Sequence, residues 1–524
     1  MSRHSGRAAS SHRLQLQRRR RQLLLRRVAD HLTGWLLGLL VVGGMGLGGL
    51  LWFGPHGLES PGLGAAAGTY QASDAQSAVP PEVLARPEQI QVLFGGGEPG
   101  QGLSDSGDPN YLAVWDAVQQ LMLSVTPGEI ARVQDLGFKT FMRDLDAMLQ
   151  GPGGAHGAFA VDATLGPTLP WADWMELLGA RAWTGAASTP QVNRIVVLDQ
   201  PGDPPQLFLL NGALVGEVVL TSAQVHEHVE PTVRNLQFSA NLKGYSLVPL
   251  PGPLPPAVQE AVAVPQALLV PDLSAWKPQQ GHQWVPYQLL SENLDPGRMA
   301  RAIFPDPLDV TTGRPGANLR VYMNPQHWVL SVGGGEAALA VPQNRAAMVP
   351  DWYAGLQEVV AYVSRVGGWP STAWLAGFQS APASQCIVSR CPASALTYDF
   401  SVRTTGLPVL QATTGLPVVQ NQGAEAMRLT ISGSSGQPSQ YTRQIPLAGD
   451  PLAVDAAPLG ATSAVAQALR GVQVTAGQAL QVVQVFPAMV SQPAARRLEP
   501  VWAVVLDSGT GGSPLTVLVD AYSR

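Results

Sequence analysis

Lysine is almost absent from this chain, whose 524 residues include only Lys139, Lys243 and Lys277. None of the three completes a GxxxxGK[ST] sequence, so a phosphate-binding P-loop is excluded. The GxSxG pattern of a hydrolase nucleophile elbow is also missing. The absence of these motifs excludes the commonest enzyme classes that can be recognised from a short sequence motif.

Charge is scarce as well. Charged residues make up 13% of the chain, against roughly 25% in an average globular protein. Nine arginines and Asp30 give residues 1–31 a net charge of +8, which leaves −13 for the rest of a chain whose total is −5. An acidic body of this kind argues against nucleic acid as a partner.

Cysteine occurs twice, at Cys386 and Cys391. In an oxidising compartment this pair predicts a small disulfide, with two free thiols as the alternative. No histidine lies within twenty residues of the pair and CxxxxC is not a redox spacing, so neither case suggests catalysis. No cysteine lies near the apolar run described next, which excludes a lipoprotein anchor.

An uncharged run of twenty-two residues, Leu32 to Phe53, follows the basic arm. As a helix it would be about 33 Å long, enough to cross a hydrocarbon core of about 30 Å. The arm arginines, including Arg18, Arg19, Arg20, Arg21, Arg26 and Arg27, predict a cytoplasmic N-terminus by the positive-inside bias. We therefore expect a single-pass membrane protein with most of its chain outside the cell. A cleaved signal peptide ending near Ala65–Ala67 is the alternative, although the run is longer than a usual signal peptide core.

The predicted membrane helix contains two GxxxG pairs, Gly34 with Gly38 and Gly44 with Gly48. Such spacing allows the backbone of a second helix to approach closely. The pairs predict a helix-packing face, with the general abundance of glycine in this chain as the alternative explanation.

Composition and periodicity predict six segments. These are a basic cytoplasmic arm (1–31), a transmembrane helix (32–53), a flexible stalk (54–79), an N-terminal α+β domain (80–250), a middle α+β domain (251–392) and a mostly-β C-terminal domain (393–524). Strands and helices mix without strict βαβ alternation, which predicts an α+β fold of antiparallel sheets with packed helices.

Individual elements follow from residue patterns. Strands are predicted at 89–94, 193–198, 206–210, 214–220, 267–270, 319–323, 328–332, 337–341, 396–402, 427–432 and 480–486, with a final hairpin of 501–506 and 515–521. Helices are predicted at 109–123, 128–149, 171–183, 222–236, 350–366 and 464–469, and residues 95–108 are predicted to form a loop.

The strongest candidate for a metal or catalytic site in the sequence is the group His226, His228 and Glu230. On a strand the three would share one face and could bind zinc, whereas on a helix only His226 and Glu230 would be neighbours. A solvated polar helix face is the alternative interpretation and the one we expect, and no cofactor is predicted.

Several short segments occur in an order and spacing that can be compared with a known family. They are residues 84–92, 167–171, 192–198, 290–307, 319–325, 367–370, 398–400 with 406–408, and 498–502. Together they resemble the YycH family over nearly all of the predicted outer region.

That resemblance implies a non-catalytic, single-pass accessory protein of Gram-positive bacteria. It would bind and modulate the sensor kinase of the WalK/WalR cell-wall system, together with a YycI-like partner, and its middle and C-terminal regions would resemble each other. The arginine arm, the glycine-rich stalk and the cysteine pair depart from the family pattern. Two other classes stay open: a wall-associated or ligand-binding protein without a signalling role, and an anchored metal-dependent hydrolase.

Overall fold

The computed structural model describes 23 ranges of the chain. They are residues 79–96, 100–103, 108–131, 136–137, 145, 157–180, 189–211, 213–237, 244–249, 262–263, 267–271, 284–304, 310–316, 318–342, 351–382, 393–411, 418–420, 426–432, 438–454, 456–472, 480–493, 495–507 and 515–522. The predicted arm, the predicted membrane helix and the Cys386/Cys391 pair lie outside these ranges, as does the predicted stalk except for Val79. Within them, no helix combines the length and apolar character that crossing a membrane requires.

The strands, in chain order, are β1 (Gln89–Phe94), β2 (Gly100–Leu103), β3 (Leu136–Gly137), β4 (Phe159–Pro170), β5 (Gln191–Asp199), β6 (Gln206–Leu210), β7 (Ala213–Val219), β8 (Gly244–Pro249), β9 (Val262–Ala263), β10 (Ala267–Pro271), β11 (Tyr287–Ser291), β12 (Thr311–Gly316), β13 (Leu319–Met323), β14 (Val329–Gly333), β15 (Glu336–Ala340), β16 (Trp374–Pro382), β17 (Ala393–Ser401), β18 (Arg403–Thr404), β19 (Leu407–Gln411), β20 (Val418–Gln420), β21 (Met427–Ile431), β22 (Gln440–Gln444), β23 (Pro446–Pro451), β24 (Leu480–Gln492), β25 (Arg497–Asp507) and β26 (Leu515–Asp520).

The α-helices are α1 (Pro81–Leu84), α2 (Pro109–Ser124), α3 (Trp171–Leu177), α4 (Ser222–His228), α5 (Glu230–Gln237), α6 (Pro296–Ile303), α7 (Trp352–Val366) and α8 (Ala461–Gly471). Several begin at residues whose side chains accept a backbone hydrogen bond. Asp108 caps α2, Asp295 caps α6, and Asp351 caps α7 by accepting from the Ala354 N–H at 2.7 Å. Such caps satisfy N–H groups that the first helical turn leaves unpaired.

The described strands form three sheets, which we name by their place in the chain. The N-terminal sheet has the order β10-β8-β2-β1-β4-β5-β6-β7-β3, and the middle sheet has the order β12-β13-β14-β15-β22-β21-β17-β16. All neighbours in these two sheets are antiparallel. The C-terminal sheet has the central order β18-β19-β24-β25-β11-β23, with parallel pairing of β24 to β19 and to β9. The coarse prediction of an α+β fold built from antiparallel sheets is therefore confirmed.

One continuous apolar core serves the N-terminal and middle sheets together with helices α1 to α7. Its largest fully buried side chains include Trp171, Trp174, Trp369 and Tyr398. A second core lies between α8 and one face of the C-terminal sheet, around Trp502 and Trp284, whose rings meet edge to face. Aromatic pairs of this geometry stabilise a core beyond the area they bury.

Some predicted elements differ from the observed ones. The predicted loop 95–108 contains β2, which pairs with β1. The helix predicted over 128–149 does not form as one element, because the Ala131 backbone exchanges two hydrogen bonds with Glu217 and β3 then pairs with β7. The helix predicted over 171–183 ends at Leu177, and the twelve-residue strand β4 was not predicted at all.

The sheets do not follow the predicted segment limits one by one. The middle sheet joins strands on both sides of residue 392, and β11 lies in the C-terminal sheet between β25 and β23. The predicted similarity between middle and C-terminal regions stays a prediction, as do the domain limits.

Candidate functional site

His226, His228 and Glu230 lie at the junction of α4 and α5, where Val229 separates the two helices. The Glu230 carboxylate accepts from His226 and pairs with Arg234, four residues away on either side. The hydrogen bond from His226, and then the one from Arg234, keep the pKa of Glu230 below its usual value. His228 is absent from this group, because residues two apart point to different sides of a helix.

This arrangement is a surface ion-pair chain. The His226 side chain is 79% exposed, and the Arg234 side chain is 49% exposed. Within the described ranges, no group of three or more His, Cys, Asp or Glu side chains is placed to hold a metal ion. The geometry therefore gives the metal-dependent hydrolase hypothesis no support.

Buried charge lies elsewhere, at the boundary of the middle and C-terminal sheets. Arg443 on β22 donates from Nε and Nη2 to both carboxylate oxygens of Glu292, at 2.7 and 2.6 Å, and from Nη1 to the Gly368 carbonyl at 2.7 Å. The Arg443 side chain has no exposed surface, and that of Glu292 is 5% exposed. A bidentate pair of this kind fixes direction as well as distance. It ties β22 to the segment after β11 and to the end of α7.

A second buried arginine connects the C-terminal sheet to the N-terminal sheet. Arg403 on β18 donates from Nη2 to the carbonyls of Pro87 and Glu88, at 3.0 and 2.7 Å. Its guanidinium lies 4.2 Å from the ring centroid of Trp374 and 5.7 Å from that of Tyr111. The Tyr111 hydroxyl donates to the same Pro87 carbonyl, and burial raises the pKa of Tyr111 to about 12. Stacking and donation together hold the chain just before β1 in place.

A cluster of carboxylates occupies the contact between α3 and α7. Burial, followed by the like charges of Glu176 and Asp351, raises the pKa of Asp173 to about 6. The pKa of Glu176 is raised by burial and then by Asp351. Bringing like charges together disfavours ionisation of each one. Asp173 therefore takes up a proton at a higher pH than an ordinary aspartate does.

The segments that carry the family resemblance lie at these junctions. Pro87 and Glu88 accept from Arg403, Glu292 pairs with Arg443, and Gly368 accepts from the same arginine. Two further segments contribute hydrogen bonds that close the fold: the Tyr398 hydroxyl donates to the Trp352 carbonyl, and the Trp502 indole donates to the Leu459 carbonyl at 2.8 Å. These motif residues thus make structural contacts between separate elements of the fold.

Sequence reasoning did not single out Arg403, Arg443, Glu292 or Asp173 as functional residues. The partners in the Arg443–Glu292 pair are 151 positions apart, and Arg403 is more than 300 positions from its carbonyl partners. No local spacing encodes such contacts. One signal was available, because arginine is uncommon in strands of otherwise apolar character and a buried arginine requires a partner.

The fold and its junctions define a class: an α+β protein of several antiparallel sheets, joined by buried arginines. No known protein-family model matches the chain, and no curated protein matches it. Among solved structures, YycH from Bacillus subtilis matches with 14% sequence identity and a TM-score of 0.47, over 83% of this chain and 97% of that chain. An uncharacterized protein from Eubacterium rectale matches with 8% identity and a TM-score of 0.29, over 46% of this chain and 84% of that one. The first structural neighbour thus bears the family name that the sequence motifs suggested.

Proposed function

We propose that this chain is a membrane-anchored extracytoplasmic accessory protein that binds and modulates a WalK-like sensor histidine kinase of the cell wall. In this proposal a Gram-positive cell membrane holds the chain by one helix, the N-terminus is cytoplasmic, and a YycI-like protein is a second partner. The protein acts by binding and has no catalytic role.

One observation carries the proposal. The motifs that resemble the YycH family run from residue 84 to residue 502, and in the fold they supply contacts between separate sheets, such as Glu292 to Arg443 and Pro87 to Arg403. Two of the motifs also contact each other, because the rings of Trp369 and Phe400 meet edge to face with their centroids 4.9 Å apart. Motif residues that make buried contacts across one fold support a common descent with that family.

A regulator of this type acts only through differential binding. A two-state kinase shifts when the accessory protein binds one state better than the other, whatever the absolute affinity. The predicted membrane helix offers Gly34, Gly38, Gly44 and Gly48 as a face on which the helices of the kinase can pack closely. The regulatory contact in the membrane is therefore assigned to that face.

The test replaces Gly44 and Gly48 by leucine in the full chain and measures co-purification with the kinase from membranes, together with kinase output in cells. Both should fall, because two leucine side chains would hold the helices apart. Gly46→Leu is the matched control, since residue 46 lies on the opposite side of a helix from both glycines. Unchanged co-purification and output in the double variant would reject this contact.

The membranes prepared for co-purification also distinguish the two alternative functions. A chain that anchors in the membrane but never co-purifies with a kinase fits a wall-associated or ligand-binding protein. Stoichiometric zinc in the purified chain would instead favour the hydrolase.

A further inference from the structure

Strand β12 is a solvent-exposed edge strand of the middle sheet. It pairs with β13 on one side, and no strand described by the structure pairs with its other side. All six residues from Thr311 to Gly316 are exposed. An edge strand with free backbone groups is a template for a further strand unless its sequence or its surroundings protect it.

An apolar stripe lies beside this edge. Leu319 and Met323 on β13 are 38% and 40% exposed, and Val321 lies between them on the same face because side chains alternate along a strand. The opposite face carries Tyr322, which belongs to the main core. Leu319 and Met323 are two of the four exposed large apolar residues in the described part of the chain.

The neighbouring strand continues the stripe without covering it. Met323, Val321 and Leu319 lie opposite Val329, Ser331 and Gly333 of β14. These side chains are small or half-buried, so they leave a flat surface behind the edge. Gly313 and Gly316 of β12 lie opposite Val321 and Leu319, so at these positions no β12 side chain separates an added strand from the stripe. Large apolar side chains of a strand added at β12 could therefore reach the stripe.

The edge is also positively charged. Arg314 and Arg320 are exposed, and residues 310 to 335 contain no aspartate or glutamate. The chain beyond the basic arm carries a net charge of −13. This hairpin is therefore a local basic surface on an acidic protein.

We infer that the β12 edge binds an extended, acidic segment of a partner protein, which pairs with β12 as an additional antiparallel strand. Backbone hydrogen bonds along β12 supply affinity, the apolar stripe receives alternate side chains, and acidic residues of the partner face Arg314 and Arg320. The inference deepens the proposed function, because it names a surface and a chemistry for one of its partners outside the membrane.

A second copy of this chain does not fit the same edge. Antiparallel pairing of two β12 strands about their centre would bring Arg314 close to its counterpart, and like charges across a strand pair are unfavourable. The edge thus discourages self-association while remaining open to an acidic strand.

The test uses the full chain in lipid nanodiscs and immobilised twelve-residue peptides. One peptide alternates glutamate with valine and threonine, a second has lysine in place of glutamate, and a third keeps the glutamates but has prolines that prevent strand pairing. The acidic alternating peptide should bind. Reversing both charges, R314E with R320E, should weaken binding about tenfold, since the attraction of the acidic peptide to Arg314 on the edge strand and to Arg320 on the next strand becomes repulsion. R470E, which reverses an exposed arginine on α8, is the matched control and should bind like the unaltered chain.

The proposal is overturned if the acidic alternating peptide does not bind, if the proline-containing peptide binds equally well, or if the chain dimerises through this edge. Equal binding of the proline peptide would indicate charge attraction without strand addition. Kinase co-purification is measured separately. Loss of peptide binding with intact co-purification therefore refutes only the edge, and the reverse result refutes only the kinase proposal.

Discussion

The carboxylate cluster between α3 and α7 makes the stability of this protein depend on pH near neutrality. Asp173 is half-buried beside Glu176 and Asp351, and its pKa is raised from 3.8 to about 6. The folded protein therefore holds a proton on Asp173 at pH values where the unfolded chain has released it. The contribution of protonated Asp173 to the free energy of unfolding is therefore fully present below about pH 4 and is lost as the pH rises through about 6.

The magnitude follows from the shift. Each pKa unit corresponds to about 1.4 kcal/mol, so the full shift of Asp173 would amount to about 3 kcal/mol. Partial exposure allows solvent to screen the like charges, which reduces the expected effect to about 1–2 kcal/mol. Asp173→Asn removes the charge and keeps the shape. The variant should be more stable than the unaltered chain by about 1–2 kcal/mol at pH 7.5, and nearly equal to it at pH 4.

The assay is the free energy of opening around α3, measured by amide hydrogen exchange of Trp171–Leu177 between pH 4 and 7.5 after correction for intrinsic exchange. Asp351→Asn is a second test variant, because asparagine can still cap α7 but carries no charge. Removing this like charge should lower the pKa of Asp173, so the fall in stability should occur at lower pH. Asp116→Asn, at an exposed position of α2, is the control. The same decline in stability from pH 4 to pH 7.5 in Asp173→Asn and in the unaltered chain would refute this reasoning.

Three further predictions concern the junctions. Arg443→Met should destabilise the chain by about 3–5 kcal/mol in denaturant unfolding, because the buried carboxylate of Glu292 loses its partner, and Arg443→Met with Glu292→Met should recover much of that loss. If the double variant recovers none of the lost stability, the broken ion pair is not the cause of the loss. Arg403→Lys should cost about 1–3 kcal/mol, since lysine cannot stack on Trp374 while donating to two carbonyls; an unchanged unfolding midpoint would contradict this. Gly166→Ala should cost about 1–3 kcal/mol or more, because its Cβ would lie 2.2 Å from the Leu375 carbonyl oxygen, whereas Gly128→Ala has open space and should unfold like the unaltered chain.

Local patterns predicted the elements whose two faces differ. Helix α7 has one apolar face and one more polar face, and it was predicted close to its observed limits. Strand β4 was missed because most of its residues are buried on both sides, so its sequence does not alternate, and Gly166 and two prolines interrupt it. The bulge between Thr164 and Leu169 lets β4 approach β16 at Gly166.

The site was less accessible to sequence reasoning than the fold. His226 and Glu230 were predicted as helix neighbours from their spacing alone, and they are in contact. The pKa of Asp173 depends on Asp351, which is 178 positions away and reaches it only because α3 meets α7 in the folded chain. Contacts between residues so far apart in the sequence depend on the topology of the fold, which local sequence patterns do not predict.

The position of β11 restricts how a gene for this protein could be shortened. A stop codon near residue 392 would leave β11 without β25 and β23, and would leave β15 without β22. The translated remnant would have several unsatisfied strand edges and an unpartnered Glu292 carboxylate, and cellular proteases would be expected to remove it. Natural truncations are therefore expected to behave as complete losses of the protein, not as smaller working versions.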